Sequence, residues 1–232
     1  MDHRGALPKH MQISEMLARE IAAGRLSDGA RLPGERAMAS DFGVAVGTLR
    51  RALDDLTDKG LLERVQGSGN YVRHRADAQS VYAFFRLEAP EGGGLPTAQT
   101  LAAEPVRRPP HLATQGGEAQ VLCVRRLRLL DGVPVALEEI WLDLPGAAEL
   151  RIGDLSDSLY LTCQRALGVG IERTEDRVSH ARVPEWGRGQ LALEPGDVCG
   201  HVARRGWSRG RVVEVSETWF DAGRAQFVSR MR

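Results

Sequence analysis

Apolar residues in the first sixty positions recur at three- and four-residue spacing. Met11, Ile13, Met16, Leu17, Ala18, Ile21 and Ala22 form one such set, which predicts an amphipathic helix over 11–22. Pro8 suits its entry and Gly24 its exit. Residues 25–31 are polar and contain Asp28-Gly29, a turn signal. Leu32-Pro33-Gly34-Glu35-Arg36 then opens a second, shorter helix that runs to Phe42 and stops at Gly43. A third helix is predicted from Val46 to Lys59, with Leu49, Ala52, Leu53 and Leu56 on one face and Gly60 at its end. The period then shortens. Leu61–Val65 reads as a strand, Gln66-Gly67-Ser68-Gly69 as a turn and Asn70–Arg73 as the returning strand, a β-hairpin. Helices followed by a hairpin, with a tight turn at Gly43, describe a helix-turn-helix domain with a wing.

Beyond residue 73 the pattern is different. His74 to Ser80 is polar and aperiodic and reads as a linker, which divides the chain into 1–73, 74–80 and 81–232. Strands are predicted over 81–87, 97–106, 121–130 and 133–142, the last two joined at Asp131-Gly132, a strong hairpin signal. A helix fits 156–167, where Leu159, Cys163 and Leu167 share a stripe. A strand over 170–183, a short helix over 185–193 and strands over 198–207, 212–220 and 226–231 complete the chain. Long strands joined mostly by hairpins, with helices inserted, make an α+β domain on an antiparallel sheet.

Composition narrows the function classes. The chain has 232 residues, 42% apolar and 27% charged, which excludes wholesale disorder and a fibrous repeat. Lys+Arg and Asp+Glu are both 31, so a strongly basic coat for nucleic acid is excluded, although a local basic patch is not. Cys123, Cys163 and Cys199 are odd in number and far apart. They fit neither a disulfide framework nor a zinc site, and no metal or other cofactor is expected. No apolar run reaches the roughly 18 residues that span a bilayer. Met1-Asp2-His3-Arg4-Gly5 has no apolar stretch behind a basic region. A cytoplasmic protein without a membrane or secretory segment is expected.

The head carries polar groups where a duplex would meet them. The first turn of the third helix would enter the major groove, and Thr48 and Arg50 lie there with Arg51 beside them. Arg36 stands early in the second helix, within reach of phosphate or a base edge. Arg64 and Gln66 flank a wing tip whose Gly67 lets backbone approach closely. By spacing alone these arginines are equally well ordinary solvated charges.

In the second domain Arg126 and Arg128 share one strand face, because strand side chains alternate. Glu138 lies on the partner strand and Glu214 on a later one. Two readings stay open: a small-molecule cradle in which arginine forks hold an anion, or ion pairs on the solvated face of a sheet. His3, His10, His74, His111, His180 and His201 are scattered without triad-like or metal-ligand spacing and read as surface or turn residues.

The ordered set Pro8, Gln12-Ile13, Leu17, Ile21, Gly24, Leu32-Pro33-Gly34-Glu35-Arg36, Phe42-Gly43-Val44, Thr48-Leu49-Arg50, Ala52-Leu53, Gly60-Leu61-Leu62 and Gln66-Gly67-x-Gly69 resembles the winged helix of the GntR family of bacterial transcription regulators. The resemblance implies DNA contacts at Arg36, Thr48, Arg50 and Gly67. There are departures. Ala45-Val46 stands where the family usually has Ser or Thr followed by Arg, and Val65-Gln66-Gly67-Ser68-Gly69 stands for its usual Arg-Gln-Gly-Lys-Gly. Frequent cationic contacts are thus missing, which implies a different operator half-site and a shallower salt dependence.

Arg126-Leu127-Arg128, Asp131-Gly132-x-Pro134-Val135, Glu138, Asp154-Leu155, Ser158-Leu159-Tyr160 and Glu214-Val215-Ser216 resemble the UTRA effector domain. That module follows the winged helix in the HutC branch and has a chorismate-lyase-like fold. The resemblance implies an anion-holding set of Arg126, Arg128, Ser158 and Tyr160, with Glu138 and Glu214 on the polar part of the effector. Phe220 takes a position that is often Tyr, and residues 95–99 are too divergent to transfer. The implied protein is a dimeric repressor released from operator DNA by a small anionic metabolite. The competing classes are a chorismate-lyase-like enzyme with a DNA-binding head and a DNA-binding protein with an inert pocket.

Overall fold

The computed structural model describes residues 8–22, 24–73, 85–109 and 120–230, which form two compact units. The linker read at 74–80, most of the strand read at 81–87 and three of the histidines (His3, His74, His111) lie outside the described residues.

In the head, α1 spans Lys9–Ala22, α2 Glu35–Asp41 and α3 Val46–Asp58. The predicted apolar stripes meet in one core. Leu49, Ala52, Leu53 and Leu56 of α3 are wholly excluded from solvent and pack with Ile13, Leu17 and Ile21 of α1 and Met38 and Ala39 of α2. Each such leucine contributes about 1.5–3 kcal/mol by burial, which is what makes a unit of this size hold together. Gly43 adopts φ +60, a left-handed conformation that lets the chain turn sharply between α2 and α3, and Val44 N–H donates back to Ala39 O. The wing pairs β1 (Leu62–Val65) with β2 (Gly69–Val72), and Leu62 and Val72 join the core. Glu15 of α1 is fully buried, and Lys59 reaches its Oε1 at 2.5 Å and Asp55 Oδ2 at 2.8 Å, tying α1 to the end of α3.

The second unit is built on a six-stranded antiparallel sheet. Its strands are β4 (Pro96–Arg107), β5 (Gln120–Leu130), β6 (Val133–Leu142), β7 (Arg173–Arg182), β8 (Val198–Ser208) and β9 (Arg211–Phe220), in the spatial order β4-β5-β6-β9-β8-β7. A two-residue strand β3 (Leu87–Glu88) pairs with β10 (Gln226–Phe227). Helix α4 (Leu159–Leu167) starts at Ser158, whose Oγ accepts the Leu161 N–H, and closes at left-handed Gly168. Leu159 and Cys163 of α4 pack with Leu122, Val124, Ile140 and Leu142 of the sheet.

Three predicted elements are corrected. The helix read over 185–193 is only a 3₁₀ turn at Glu185–Gly187, because Gly187 and Gly189 and then Pro195 interrupt the segment. The last strand is Gln226–Phe227 alone rather than 226–231. The helix read from 156 begins at Leu159, after the Ser158 cap. No helix among the described residues is long and apolar enough to cross a membrane.

Candidate functional site

The head presents its polar residues to solvent. Arg36 on α2, Arg50 and Arg51 on α3, and Arg64, Gln66 and Gly67 on the wing are all exposed, and Thr48 is half-exposed in the first turn of α3. The arginines are not independent. Arg50 Nε donates to Glu35 Oε2 at 2.6 Å. Arg64 lies 2.9 Å from Asp54 Oδ1 and 4.0 Å from Glu35 Oε1. Glu35, at the first position of α2, therefore faces arginines of both α3 and the wing. Both helices enter without a side-chain cap. Gly34 and Ala45 are the N-cap residues and neither makes a side-chain hydrogen bond. The leading backbone N–H groups of α3 are thus presented without a hydroxyl in front of them, at the end of the helix that favours anions.

The sheet of the second unit gathers the predicted effector residues on one face. Register places Arg126 opposite Glu138 and Arg128 opposite Ala136, with Phe220 beyond Ala136 and Gly200 beyond Phe220. Ser216 lies opposite Arg204, and Arg204 opposite Asp176. Arg126, Arg128, Glu138, Ser158, Glu214 and Phe220 are buried and Tyr160 is half-buried. The reading of these charges as ion pairs on a solvated face is corrected: α4 and the segment before it lie over that face.

Two guanidinium groups and a helix start converge. Arg126 donates from Nη2 and Nε to Glu138 Oε2 at 2.7 and 3.1 Å. Arg126 Nη1 and Arg128 Nη1 both donate to the Asp157 carbonyl, at 3.3 and 3.0 Å, immediately before the Ser158 cap of α4. Burial works to raise the Glu138 carboxyl, but Arg126 and Arg128 outweigh it and hold the group below the ordinary carboxylate range. Further along the face, Tyr160 OH donates to Glu214 Oε2 at 2.8 Å and Ser216 Oγ to Glu214 Oε1 at 2.6 Å. Burial raises Glu214 above its ordinary value despite Arg204, Ser216 and Tyr160, and burial with the Glu214 charge raises the Tyr160 phenol. One face thus holds a carboxylate kept ionised and another pushed toward its neutral form.

Phe220 stands at the position that is often Tyr. A Cβ built on Gly200 would fall 2.2 Å from Phe220 Cζ, so the ring leans over β8 and its tip meets Gly200. That direction is away from β6 and the arginine pair. Residues 97–99, in the divergent stretch, lie at the start of β4, where the Ala98 N–H donates to Asp157 Oδ1 at 3.2 Å.

Sequence reasoning missed Arg204 and Asp176. Arg204 donates to both oxygens of Asp176, at 2.6 and 2.8 Å. Their spacing of 28 residues carries no signal, because the two strands are joined through a long excursion. His201, read as a surface or turn residue, is partly exposed within β8 on the opposite face, with Nε2 2.5 Å from Glu217 Oε2, Nδ1 3.1 Å from Ser179 Oγ and its ring against Trp219. Serine, imidazole and carboxylate adjoin there, and β8 is paired with a strand on each side. The cysteines are buried and free, and burial pushes Cys123 to about 11 and Cys163 to about 12, which leaves both thiols protonated and unreactive.

Comparison with known proteins supplies the family. Residues 9–72 match the model for bacterial regulatory proteins of the gntR family, and residues 91–226 match the UTRA domain. The chain belongs to the GntR family. The UTRA module agrees with its HutC branch. The HTH-type transcriptional regulator SmoD of Agrobacterium fabrum is 50% identical over 229 residues, covering 98% of each chain. The mannosyl-D-glycerate transport/metabolism system repressor MngR of Escherichia coli is 28% identical, covering 96% of this chain and 95% of its own. Among solved structures, YydK of Bacillus subtilis aligns with TM-score 0.54 at 20% identity over 97% of this chain and 100% of its own. PhnF of Mycobacterium smegmatis aligns with TM-score 0.52 at 24% identity over 95% and 99%. These two show that the fold is the winged helix followed by the UTRA sheet domain. This GntR-family protein is a transcriptional regulator with an effector-binding domain and not an enzyme. Regulators of this family bind operator DNA and small-molecule effectors.

Proposed function

We propose that this regulator is a homodimeric repressor released from its operator by a small anionic metabolite. Residues 1–73 read DNA, 74–80 link, and 81–232 sense the ligand. Each head reads one half-site of a near-palindrome, half-sites being about 34–36 Å or a multiple apart. Arg36, Thr48, Arg50, Arg51, Arg64, Gln66 and Gly67 are the proposed DNA contacts. Arg126, Arg128 and Ser158 hold the anion, Tyr160, which the structure joins to Glu214 rather than to the arginine pair, takes hydroxyl or ammonium groups with Glu138 and Glu214, and Phe220 walls the site.

The observation that carries this reading is the convergence of two buried guanidinium groups on the carbonyl that precedes the α4 cap. Arginine forks beside a helix N-terminus form the surroundings that stabilise a carboxylate or phosphoryl group. Two relatives are named repressors: MngR, and NagR of Bacillus subtilis at 24% identity. MngR is named for mannosyl-D-glycerate, an anionic glycoside, and that class suits arginines next to carboxylates and hydroxyls. The ligand acts only through its differential affinity for DNA-competent and DNA-incompetent arrangements of the pair.

Fluorescence anisotropy of the full chain on DNA from upstream of its own gene tests the proposal. Binding of two chains per site is expected, with release by mannosylglycerate or another anionic sugar derivative and no release by neutral sugars. Binding as a monomer would refute the dimer. Indifference to every anionic sugar derivative would refute the effector class.

A further inference from the structure

The polar groups on the cradle face extend past the arginine pair. Between β5, which carries Arg126 and Arg128, and β8, which carries Arg204, lie β6 and β9. Three interstrand steps of about 4.8 Å put the two ends of the strip roughly 14 Å apart at the backbone. Glu138 stands near one end, and Tyr160, Glu214 and Ser216 stand near the other.

Arg204 decides which way the hydrogen bonds run at that far end. Its Nε and Nη2 are committed to Asp176 on the edge strand β7. The same guanidinium donates toward the Tyr160 oxygen. A phenol oxygen that accepts from an arginine has its single O–H left for another partner, and here that proton goes to Glu214 Oε2. Ser216 donates to the other carboxylate oxygen. Glu214 is therefore fixed as an acceptor, with its remaining lone-pair capacity aligned by its two donors.

We propose that Arg204, oriented by Asp176, is a positioning residue that sets effector specificity, by holding Tyr160 and Glu214 so that the far end of the site accepts a ligand hydroxyl. The inference rests on the reading of this face as the effector site. It narrows the effector to an elongated, hydroxyl-bearing anion: the anionic group at Arg126 and Arg128, a hydroxyl donated to Glu214. A site built to pair a hydroxyl discriminates against an analogue that lacks it, because the buried carboxylate is then left unsatisfied.

Calorimetry on the full chain with glucose 6-phosphate, glucuronate, cyclohexyl phosphate and inorganic phosphate tests it. The unmodified chain is expected to prefer the hydroxylated anions to cyclohexyl phosphate. In Arg204→Ala that preference falls about tenfold, while inorganic phosphate, which occupies only the arginine-pair end, binds within twofold of the unmodified chain. Tyr160→Phe reproduces the loss. Arg204→Lys does not restore the preference, because an ammonium has no fork to share between Asp176 and Tyr160. If Arg204→Ala fails to fold, Asp176→Asn, similar in size and shape, carries the same expectation. An equal loss for every probe would mean that Arg204 only supports the fold, and an unchanged preference would mean that it does not set specificity. Either result overturns the proposal. Failure of the unmodified chain to bind any of these anions, or phosphate binding in Arg126→Ala equal to that of the unmodified chain, would instead overturn the reading of the face as an anion site, and the proposal with it.

Discussion

Glu35 Oε2 accepts a 2.6 Å hydrogen bond from Arg50 Nε, joining the first turn of α2 to α3 across fifteen residues of sequence. Glu35 also lies 4.0 Å from Arg64 of the wing, so one carboxylate orients cations on two of the elements proposed to meet DNA. Glu35→Gln is expected to leave the thermal midpoint nearly unchanged, because the pair is exposed, yet to reduce discrimination between operator and scrambled duplex severalfold. Arg50→Ala should cost operator affinity about tenfold or more. Anisotropy with both duplexes checks each.

The missing cations set the second expectation. Val46 and Ser68 stand where the related pattern usually has Arg and Lys. Installing Val46→Arg with Ser68→Lys should steepen the slope of log K against log salt by about 2, at roughly 0.9 per phosphate contact. A titration of operator binding across sodium chloride concentrations reads the slope directly, and an unchanged slope would place both positions off the phosphates.

Ala45 caps α3 with extended backbone at φ −66 and ψ 145 and no side-chain bond. A serine fits that conformation and supplies the acceptor that the first turn lacks. Ala45→Ser should add about 0.5–2 kcal/mol of stability, measurable by urea denaturation.

Acid should weaken the second unit through Glu138. Its folded-state value lies below the ordinary 4.5, so its contribution is present above that value and is lost as the pH falls through the folded value. Glu138→Gln leaves Arg126 and Arg128 without that carboxylate and should cost about 3–5 kcal/mol at neutral pH, with the difference from the unmodified chain narrowing as the pH falls through the lowered folded-state value. Glu214 has the opposite sign. Its folded-state value is raised, so its contribution is present below the unfolded value and is lost as the pH rises through the folded one. Glu214→Gln should therefore match or exceed the unmodified chain in stability at neutral pH and lose that advantage in acid. Urea midpoints across a pH series separate the two.

Gly200→Ala forces a methyl group to within 2.2 Å of Phe220 Cζ. The ring or the β8–β9 pairing must shift, at a cost of about 1–3 kcal/mol or more. A drop in thermal midpoint with altered ligand binding is expected. Gly153→Ala, with open space around it, serves as the comparison and should be close to neutral.

The local elements were legible in the chain. Leu49, Ala52, Leu53 and Leu56 at helical spacing allow one buried face, and Gly43 and Asp131-Gly132 mark turns whose backbone conformations few other residues adopt. The pairing of Arg126 with Glu138 was also within reach, because a hairpin brings them together. Residues 185–193 misled because intermittent apolar positions there resemble a helix, although Gly187 and Gly189 remove its propensity. The rest depended on which strands become neighbours. Sequence spacing says nothing of β9 inserting beside β6, which brings Glu214 and Ser216 onto the arginine face, or of β8 bringing Arg204 to Asp176. It is equally silent on burial: side-chain alternation assigns a residue to a face, but only the packing of α4 decides that this face is withdrawn from water. That withdrawal lowers the effective dielectric around the charges, and it separates a row of surface ion pairs from the buried polar cluster proposed to hold the effector.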